Sequence, residues 1–365
     1  MTERELEILE ILKNDPLISQ ESLAQKLVIT RSGVAAHIHN LMKKGYIKGK
    51  GYILNDIKFV TVIGGNNIDI LGTPNEKLIV QNSNPGKISY SYGGAGRNIA
   101  YALTKYDVSN YFISVYGNDL NGERLINHCR EHKIDIQCCE KIHGAHTSSF
   151  MYLDDSNGVK FIGINDMDIY KKMTPAFLSK YLDRINASQY CVADTNIPAE
   201  SFQYLYDNVT VPFLVKTTSI QKNDRMIQDN QKVFVLITNP LEVKELLGYY
   251  KEPYTDIEQA VRFLQTKNIA NIVVFSVGEG LYFHGKTQEI RIKKQLPGTV
   301  NTAGATAVLT STIIWGLQNS LSWKRILRYG YAAISITLQS RQPVNPQLSV
   351  SAVLEQERLL FDAES

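Results

Sequence analysis

Cysteine is scarce: Cys129, Cys138, Cys139 and Cys191 are the only four in 365 residues. They are too few and too clustered to form a disulfide framework. No apolar run approaches the roughly 18 residues that a membrane-spanning helix needs. The opening Met1-Thr2-Glu3-Arg4-Glu5 is too charged for a signal peptide. A soluble, cytoplasmic protein without membrane contact is expected. Internal repeats and low-complexity segments are also missing, and 44% apolar against 21% charged residues excludes disorder. At roughly 150 residues per domain, the length predicts two domains of unequal size.

Acidic residues are missing from two stretches. Ile290 to Leu354 contains no Asp or Glu, but it holds Arg291, Lys293, Lys294, Lys324, Arg325, Arg328 and Arg341. Residues 31–54 contain no acid, and they hold Arg31, Lys43, Lys44, Lys48, Lys50 and two histidines. Such fields suit anionic partners: nucleic acid at the N-terminus and nucleotide phosphate near the C-terminus. A solvated basic face is the other reading of each run.

Residues 2–13 predict a helix. Thr2 and Glu5 have capping-box spacing, and Leu6, Ile8, Leu9, Ile11 and Leu12 form its apolar stripe. Asp15-Pro16 stops it. Ser19 opens a second helix, and a third runs from Arg31 to Lys44, ended by Gly45. Residues 46–54 alternate like a hairpin with a basic tip. Three helices and a basic hairpin predict a winged helix-turn-helix, with residues 1–56 as its domain. Arg31, Ser32, His37 and Asn40 would face the major groove, while Lys43, Lys44, Lys48 and Lys50 would meet phosphates. The pattern resembles the helix-turn-helix of AsnC/MarR-type bacterial regulators, which implies DNA as a partner. A basic three-helix dimerisation or packing module is the alternative.

From residue 57 onward, short apolar runs alternate with helical stretches. Strands are predicted at 59–63, 111–115, 190–193, 213–215, 233–237 and 272–275, and helices at 97–106, 121–132 and 256–267. This alternation predicts an α/β doubly wound sheet with helices on both faces and ligands at the strands' carboxyl ends. Residues 78–92 and 148–164 alternate with period two and predict a small β-lid. Polar groups recur after strands: Gly64-Gly65-Asn66-Asn67-Ile68-Asp69, Gly93-Gly94-Ala95-Gly96-Arg97-Asn98, Asn165-Asp166, Asp194-Thr195-Asn196 and Asn239-Pro240-Leu241-Glu242. Each suits a turn or cap by itself, and together they suggest a polar small-molecule site.

These segments, with Ser83 to Ile88, Thr147-Ser148-Ser149 and Asn345 to Ser349, resemble the PfkB (ribokinase-like) carbohydrate kinases, and within them the pseudouridine-kinase branch. The resemblance spans residues 58–360. It implies phosphoryl transfer from ATP to a sugar hydroxyl, with magnesium. It places Asn67, Asp69, Gly94, Asn98, Asn165 and Asp166 at a nucleoside or sugar. Asn239, Glu242, Ser276, Gly278 and Gly280 fall on the nucleotide side, with Glu242 organising magnesium. A homodimer is expected.

The resemblance fails at three places, first where the chemistry is concentrated. The family carries Thr-Gly-Ala-Gly-Asp before a helix, where backbone N–H groups hold phosphate charge and the Asp is the general base. Here the chain reads Asn301-Thr302-Ala303-Gly304-Ala305-Thr306-Ala307. Gly304, Ala305 and Thr306 occupy the anion loop, and Ala307 occupies the base position, where it accepts no proton. Thr306 is expected to strain a loop that needs positive φ. Lys216 stands where relatives carry Asp, and Ile237-Thr238 stand where they carry Lys-Pro. Losing a general base costs on the order of 10²–10⁴ in rate. The expected protein is a DNA-binding regulator whose kinase-derived domain senses a nucleoside or sugar, with phosphotransfer weak or lost. The alternative is an active kinase with an autoregulatory helix-turn-helix, in which Asp69 or Asp166 serves as base.

Overall fold

The computed structural model describes residues 1–48, 58–154, 160–228, 231–296, 298 and 302–361. The chain divides into two compact units, Met1–Lys58 and Phe59–Ser365. The expected boundary after residue 56 and the hairpin tip with Lys50 lie outside the described residues.

The first unit holds α1 (Glu3–Asn14), α2 (Gln20–Leu27) and α3 (Arg31–Lys43). Thr2 and Glu5 form the expected capping box: the Thr2 hydroxyl accepts from Glu5 N at 3.2 Å, and Thr2 N donates to the Glu5 carboxylate at 2.7 Å. Ser19 and Thr30 cap α2 and α3. Gly45, at φ 79°, follows α3 in the left-handed conformation that ends helices. Ile8, Leu12, Leu23, Val34 and Leu41 are fully buried in one core, and Ile47 closes it. The turn between α2 and α3 forces Val28 to φ 53°, a cost of about 1–2 kcal/mol for a residue with a Cβ.

Glu5 is buried beneath α3, where Lys44 Nζ donates to both its oxygens at 2.9 and 2.8 Å. Burial pushes the carboxyl pKa up. Hydrogen bonds from Lys44 and the Thr2 backbone, with the Lys44 charge, outweigh it and hold the pKa below the usual carboxylate value. A depressed carboxylate stabilises the fold above its unfolded pKa, and that stability is lost as pH falls through the folded pKa. Glu5→Gln should therefore cost this unit about 1–2 kcal/mol at pH 7, since Lys44 is partly exposed to solvent. The difference from wild type should shrink as pH falls below about 4, read from circular-dichroism melts across pH.

The second unit contains thirteen strands and ten α-helices among the described residues. In order they are β1 (Val60–Ile63), β2 (Asn67–Pro74), β3 (Gly86–Gly93), α4 (Ala95–Lys105), β4 (Asn110–Gly117), α5 (Leu120–Glu131), β5 (Asp135–Ile142), β6 (Ser149–Asp154), β7 (Lys160–Asp166), α6 (Pro175–Ser179) and α7 (Leu182–Asn186). Then follow β8 (Tyr190–Asp194), α8 (Ala199–Asn208), β9 (Phe213–Lys216), β10 (Val235–Thr238), α9 (Pro240–Tyr249), α10 (Ile257–Gln265), β11 (Asn271–Ser276), β12 (Gly280–Gly285), β13 (Glu289–Ile292), α11 (Ala305–Gln318), α12 (Trp323–Leu338) and α13 (Val350–Phe361).

The main sheet has nine strands in the order β13-β12-β11-β10-β9-β8-β1-β4-β5. It is parallel from β5 to β11, with β12 and β13 added antiparallel. That antiparallel edge was not foreseen: a short turn joins β11 to β12, so no crossover helix marks it in the sequence. Successive strand residues feed opposite cores. Val62, Val192, Leu214, Ile237 and Val273 pack with α4, α11 and α12, while Ile63, Ala193, Val215, Leu236 and Ile272 pack with α8, α9 and α10. Burial on both faces is why these strands read as unbroken apolar runs.

From β1 the chain winds one way to β4 and β5, and the other way through β8 to β11. The crevice between β1 and β8 is thus a topological switch point, where ligands of such sheets bind. The expected lid is a separate four-stranded sheet, β3-β2-β6-β7.

Candidate functional site: the crevice beneath the lid

Asp194 ends β8 and is fully buried. Its carboxylate accepts from Gly65 N at 2.8 Å, Gly96 N at 2.6 Å and Asn196 N at 2.8 Å. One side chain thus ties the loop after β1 to the first turn of α4 across the switch point. A Cβ on Gly64 would collide with that carboxylate. Gly94 caps α4 at φ 92°, pressed against the Gly65 backbone. The glycines shape the crevice floor, and Gly94 serves it through backbone alone.

Asn67 leaves this floor and enters β2, where its side chain donates to Asp69 Oδ1 at 2.5 Å. Strand register sorts the lid residues by face. Ser91, Asp69, Phe150 and Asn165 are consecutive partners across the four strands, so their side chains share one face. Tyr152 lies on it too, stacked on Phe150 with centroids 5.3 Å apart. Carboxylate, carboxamides and two aromatic rings make a surface that reads hydroxyls and stacks on a ring. Asp166, expected beside Asn165, falls in the next row with Ser149 and Ile68, on the opposite face. A one-residue step reverses the face of a strand residue, so the two do not act together. The period-two alternation of residues 148–164 was the available signal for Phe150 and Tyr152, which it places on one face.

Asn98 is buried one turn into α4, where its Oδ1 accepts from Arg97 Nη1 at 2.9 Å. Arg97 also donates to Tyr92 O at 3.2 Å and to His128 Nδ1 at 3.0 Å. His128 is stacked between Tyr92 and His132, at 3.9 and 4.0 Å. Burial, then the Arg97 charge, push its pKa down to about 3. A neutral ring therefore faces the guanidinium, and Arg97 positions Asn98. The sequence offered no sign of this cluster, because its members are scattered over β3, α4 and α5.

The residues expected on the phosphate side lie at α11 and the ends of β9 and β10. Gly304 caps α11 at φ 83°, and a Cβ there would collide with Pro343 O. Thr306 sits in the helix with no positive φ, so the expected strain is absent. The left-handed residue of the loop is Gly304, which the chain retains. Ala305 and Ala307 are buried among Val308, Leu214 and Ile237. Ala307, expected at the base position, offers no proton acceptor and is closed into the core.

Glu242 is buried in the first turn of α9, and its Oε2 accepts from the hydroxyls of Thr217 and Thr238. Asn239 caps that helix, accepting from Glu242 N at 3.0 Å. Ser276 accepts from Glu279 N at 3.2 Å within the turn before β12, where Gly278 is exposed and Gly280 has φ 86°. These side chains hold backbone in place and leave an open turn beside the β11 end.

In the first unit, Arg31, Ser32, Asn40, Lys43 and Lys48 are exposed, as is His39, whereas His37 is half-buried. Ser32, His39, Asn40 and Lys43 recur at helical spacing on the face opposite Val34, Ile38 and Leu41. His39, which the sequence reading passed over, belongs to that face, and His37 lies at its flank. Lys44, expected at a phosphate, is instead paired with Glu5.

A doubly wound sheet, a β-lid and a polar crevice at the switch point define a ribokinase-like small-molecule domain, here joined to a helix-turn-helix. Residues 57–349 match the pfkB family carbohydrate kinase, and residues 1–48 match the winged helix-turn-helix DNA-binding family. The chain belongs to the pfkB family of carbohydrate kinases. It is 31% identical over 356 residues to the uncharacterized sugar kinase YeiI of Escherichia coli (strain K12), covering 97% of this chain and 98% of that one. It is 27% identical to the pseudouridine kinase of the same organism over 81% of this chain and 95% of that one. Among solved structures, Arabidopsis thaliana ribokinase complexed with ribose and ATP aligns with a TM-score of 0.69 at 18% identity, over 82% of this chain and 99% of that one.

The resemblance implies magnesium, with Glu242 as the residue that would organise it. Among the described residues no three His, Cys, Asp or Glu side chains converge to hold a metal. The implied ligand, Glu242, is buried and already accepts two hydroxyl hydrogen bonds, and the Lys216 charge acts on it. Magnesium of this kind is held by one or two carboxylates together with substrate phosphates and waters, so a cluster of three protein ligands is not required of it.

Proposed function

We propose that this protein is a cytoplasmic DNA-binding regulator whose kinase-derived domain senses a nucleoside or pentose, with phosphotransfer weak or lost. The carrying observation is the contrast within one crevice. The lid face keeps Asp69, Phe150 and Asn165 in one row, while the position of the general base holds Ala307, buried among apolar side chains. A domain so built binds and does not turn over. The retained, exposed Arg31, Ser32, Asn40, Lys43 and Lys48 support DNA as the output partner. A homodimer is supported by the lid face opposite Asp69, where Ile88, Tyr90, Met151, Ile162 and Ile164 are exposed side by side.

The test is calorimetry with a panel of nucleosides and pentoses, beside DNA binding across a salt series. Saturable binding lost in Asp69→Ala is expected. DNA affinity should fall steeply with salt, and Lys43→Ala should weaken binding on all sequences alike and flatten the log–log slope by about one unit. Salt-independent or absent DNA binding would overturn the regulatory reading.

A further inference from the structure

Asn98 is oriented by side chains that lie behind the crevice. A carboxamide offers a ligand either an acceptor or two donors, depending on which end its neighbours hold. Arg97, the residue before it on α4, is buried and carries donors only, so the Asn98 Oδ1 that accepts from Nη1 at 2.9 Å is turned toward the guanidinium. The NH₂ end is what Asn98 has left to offer, and it makes no hydrogen bond among the described residues. The same Nη1 donates to Tyr92 O at 3.2 Å, near the end of lid strand β3. Nη2 donates to His128 Nδ1 at 3.0 Å, on α5. Because a guanidinium accepts nothing, Nδ1 carries the lone pair of the neutral imidazole and Nε2 carries its proton.

We propose that His128 is a positioning residue: its Nδ1 lone pair holds the Arg97 guanidinium, which keeps Asn98 Oδ1 occupied, so that a ligand meets Asn98 with an acceptor oxygen, a hydroxyl or a carbonyl. The inference rests on the sensing role proposed above and names what orients its site. The role needs a neutral ring. The charges that face His128 are Arg97 from α4 and His132 at the end of α5, and both oppose its protonation. Tyr92 from β3 and Tyr101 from α4 bring it aromatic rings and no carboxylate. The Asp69 charge and the Cys129 thiol act on Arg97. A protonated His128 would lose its lone pair and set a second cation against a buried guanidinium. The stacked rings of Tyr92 and His132 hold the imidazole plane, and Nδ1 does the orienting.

The experiment separates the ring from its lone pair. His128→Phe keeps a flat ring for Tyr92 and His132 and removes the acceptor. His128→Asn puts an amide oxygen near the place of Nδ1 and removes the ring. In full-length protein labelled with nitrogen-15 at His and Asn, NMR should show His128 Nδ1 unprotonated from about pH 8 to about pH 5. The Asn98 side-chain signal should move in His128→Phe and hold in His128→Asn. Calorimetry with ribose, uridine and pseudouridine should show binding weakened about tenfold or more in His128→Phe, and within about threefold of wild type in His128→Asn. A ring that serves packing alone predicts the reverse order. A protonated Nδ1, an unmoved Asn98 signal in His128→Phe, or that reverse order overturns the inference and leaves the sensing role standing. Should His128→Phe not fold, the wild-type Nδ1 signal and the His128→Asn affinity decide it by themselves. Binding of none of the three by wild type overturns both.

Discussion

Purified protein supplied with ATP, magnesium and any nucleoside or pentose it binds should release ADP at least 10²–10⁴-fold more slowly than the roughly 1–100 s⁻¹ typical of kinases. The hydroxyl of a bound sugar finds no proton acceptor at residue 307, and nothing between Ile290 and Leu354 carries a carboxylate. Restoring the base alone should recover little. Ala307 is 2% exposed and packed in the core. An aspartate there would be pushed toward its protonated form and would cost about 1–3 kcal/mol of stability. Thr306→Gly relieves no backbone strain, because Thr306 is helical, and it costs the helix only about 0.3 kcal/mol in propensity. Combining Ala307→Asp with Thr306→Gly and Lys216→Asp should recover more than the product of the single effects, since residues acting as a unit are non-additive. Wild-type turnover in the ordinary kinase range would overturn the impaired reading and direct the search for a base to Asp69.

Asp194→Ala should be the most damaging single change in the larger unit. The carboxylate accepts three backbone N–H groups in a fully buried position, and its removal strands all three. At about 1–3 kcal/mol for each unsatisfied donor, the loss should reach about 4 kcal/mol or more. Asp194→Asn, with one acceptor oxygen left, should fall between wild type and Ala. Urea denaturation followed by circular dichroism reads the effect as a fall in midpoint with little change in slope. An Asp194→Ala midpoint within error of wild type would show that the loop after β1 and the start of α4 are held by other contacts.

Much of this was legible from local pattern. Thr2 and Glu5 announce a helix start because a capping box is satisfied within four residues. The apolar runs at Val60, Tyr190 and Phe213 announce buried strands because neighbouring residues go to opposite cores. Polar groups that follow strands or open a helix, Asp69 and Asn98 among them, stand out because chain order alone marks such places; that they meet a sugar is what the family resemblance implies. The Lys44–Glu5 ion pair was missed for the complementary reason. Lys44 lies among basic residues, and its partner Glu5 is 39 residues away on another helix.

The amino-acid sequence by itself determined the two-unit build, the order of strands and helices, and the residue types at each strand end. These follow from periodicity and caps, which act over a few residues. It also determined that residue 307 accepts no proton, because that is a property of alanine. Only the tertiary structure decided which polar groups face one another. Register set Asn165 beside Phe150 and Asp69 and turned Asp166 away. The switch point let Asp194 close the loop after β1 onto α4. The meeting of β8, β9 and α9 brought Lys216 within reach of the charges of Asp194 and Glu242. These pairings join residues tens to more than a hundred positions apart. Their partners are fixed by strand order and packing, to which no local pattern gives access.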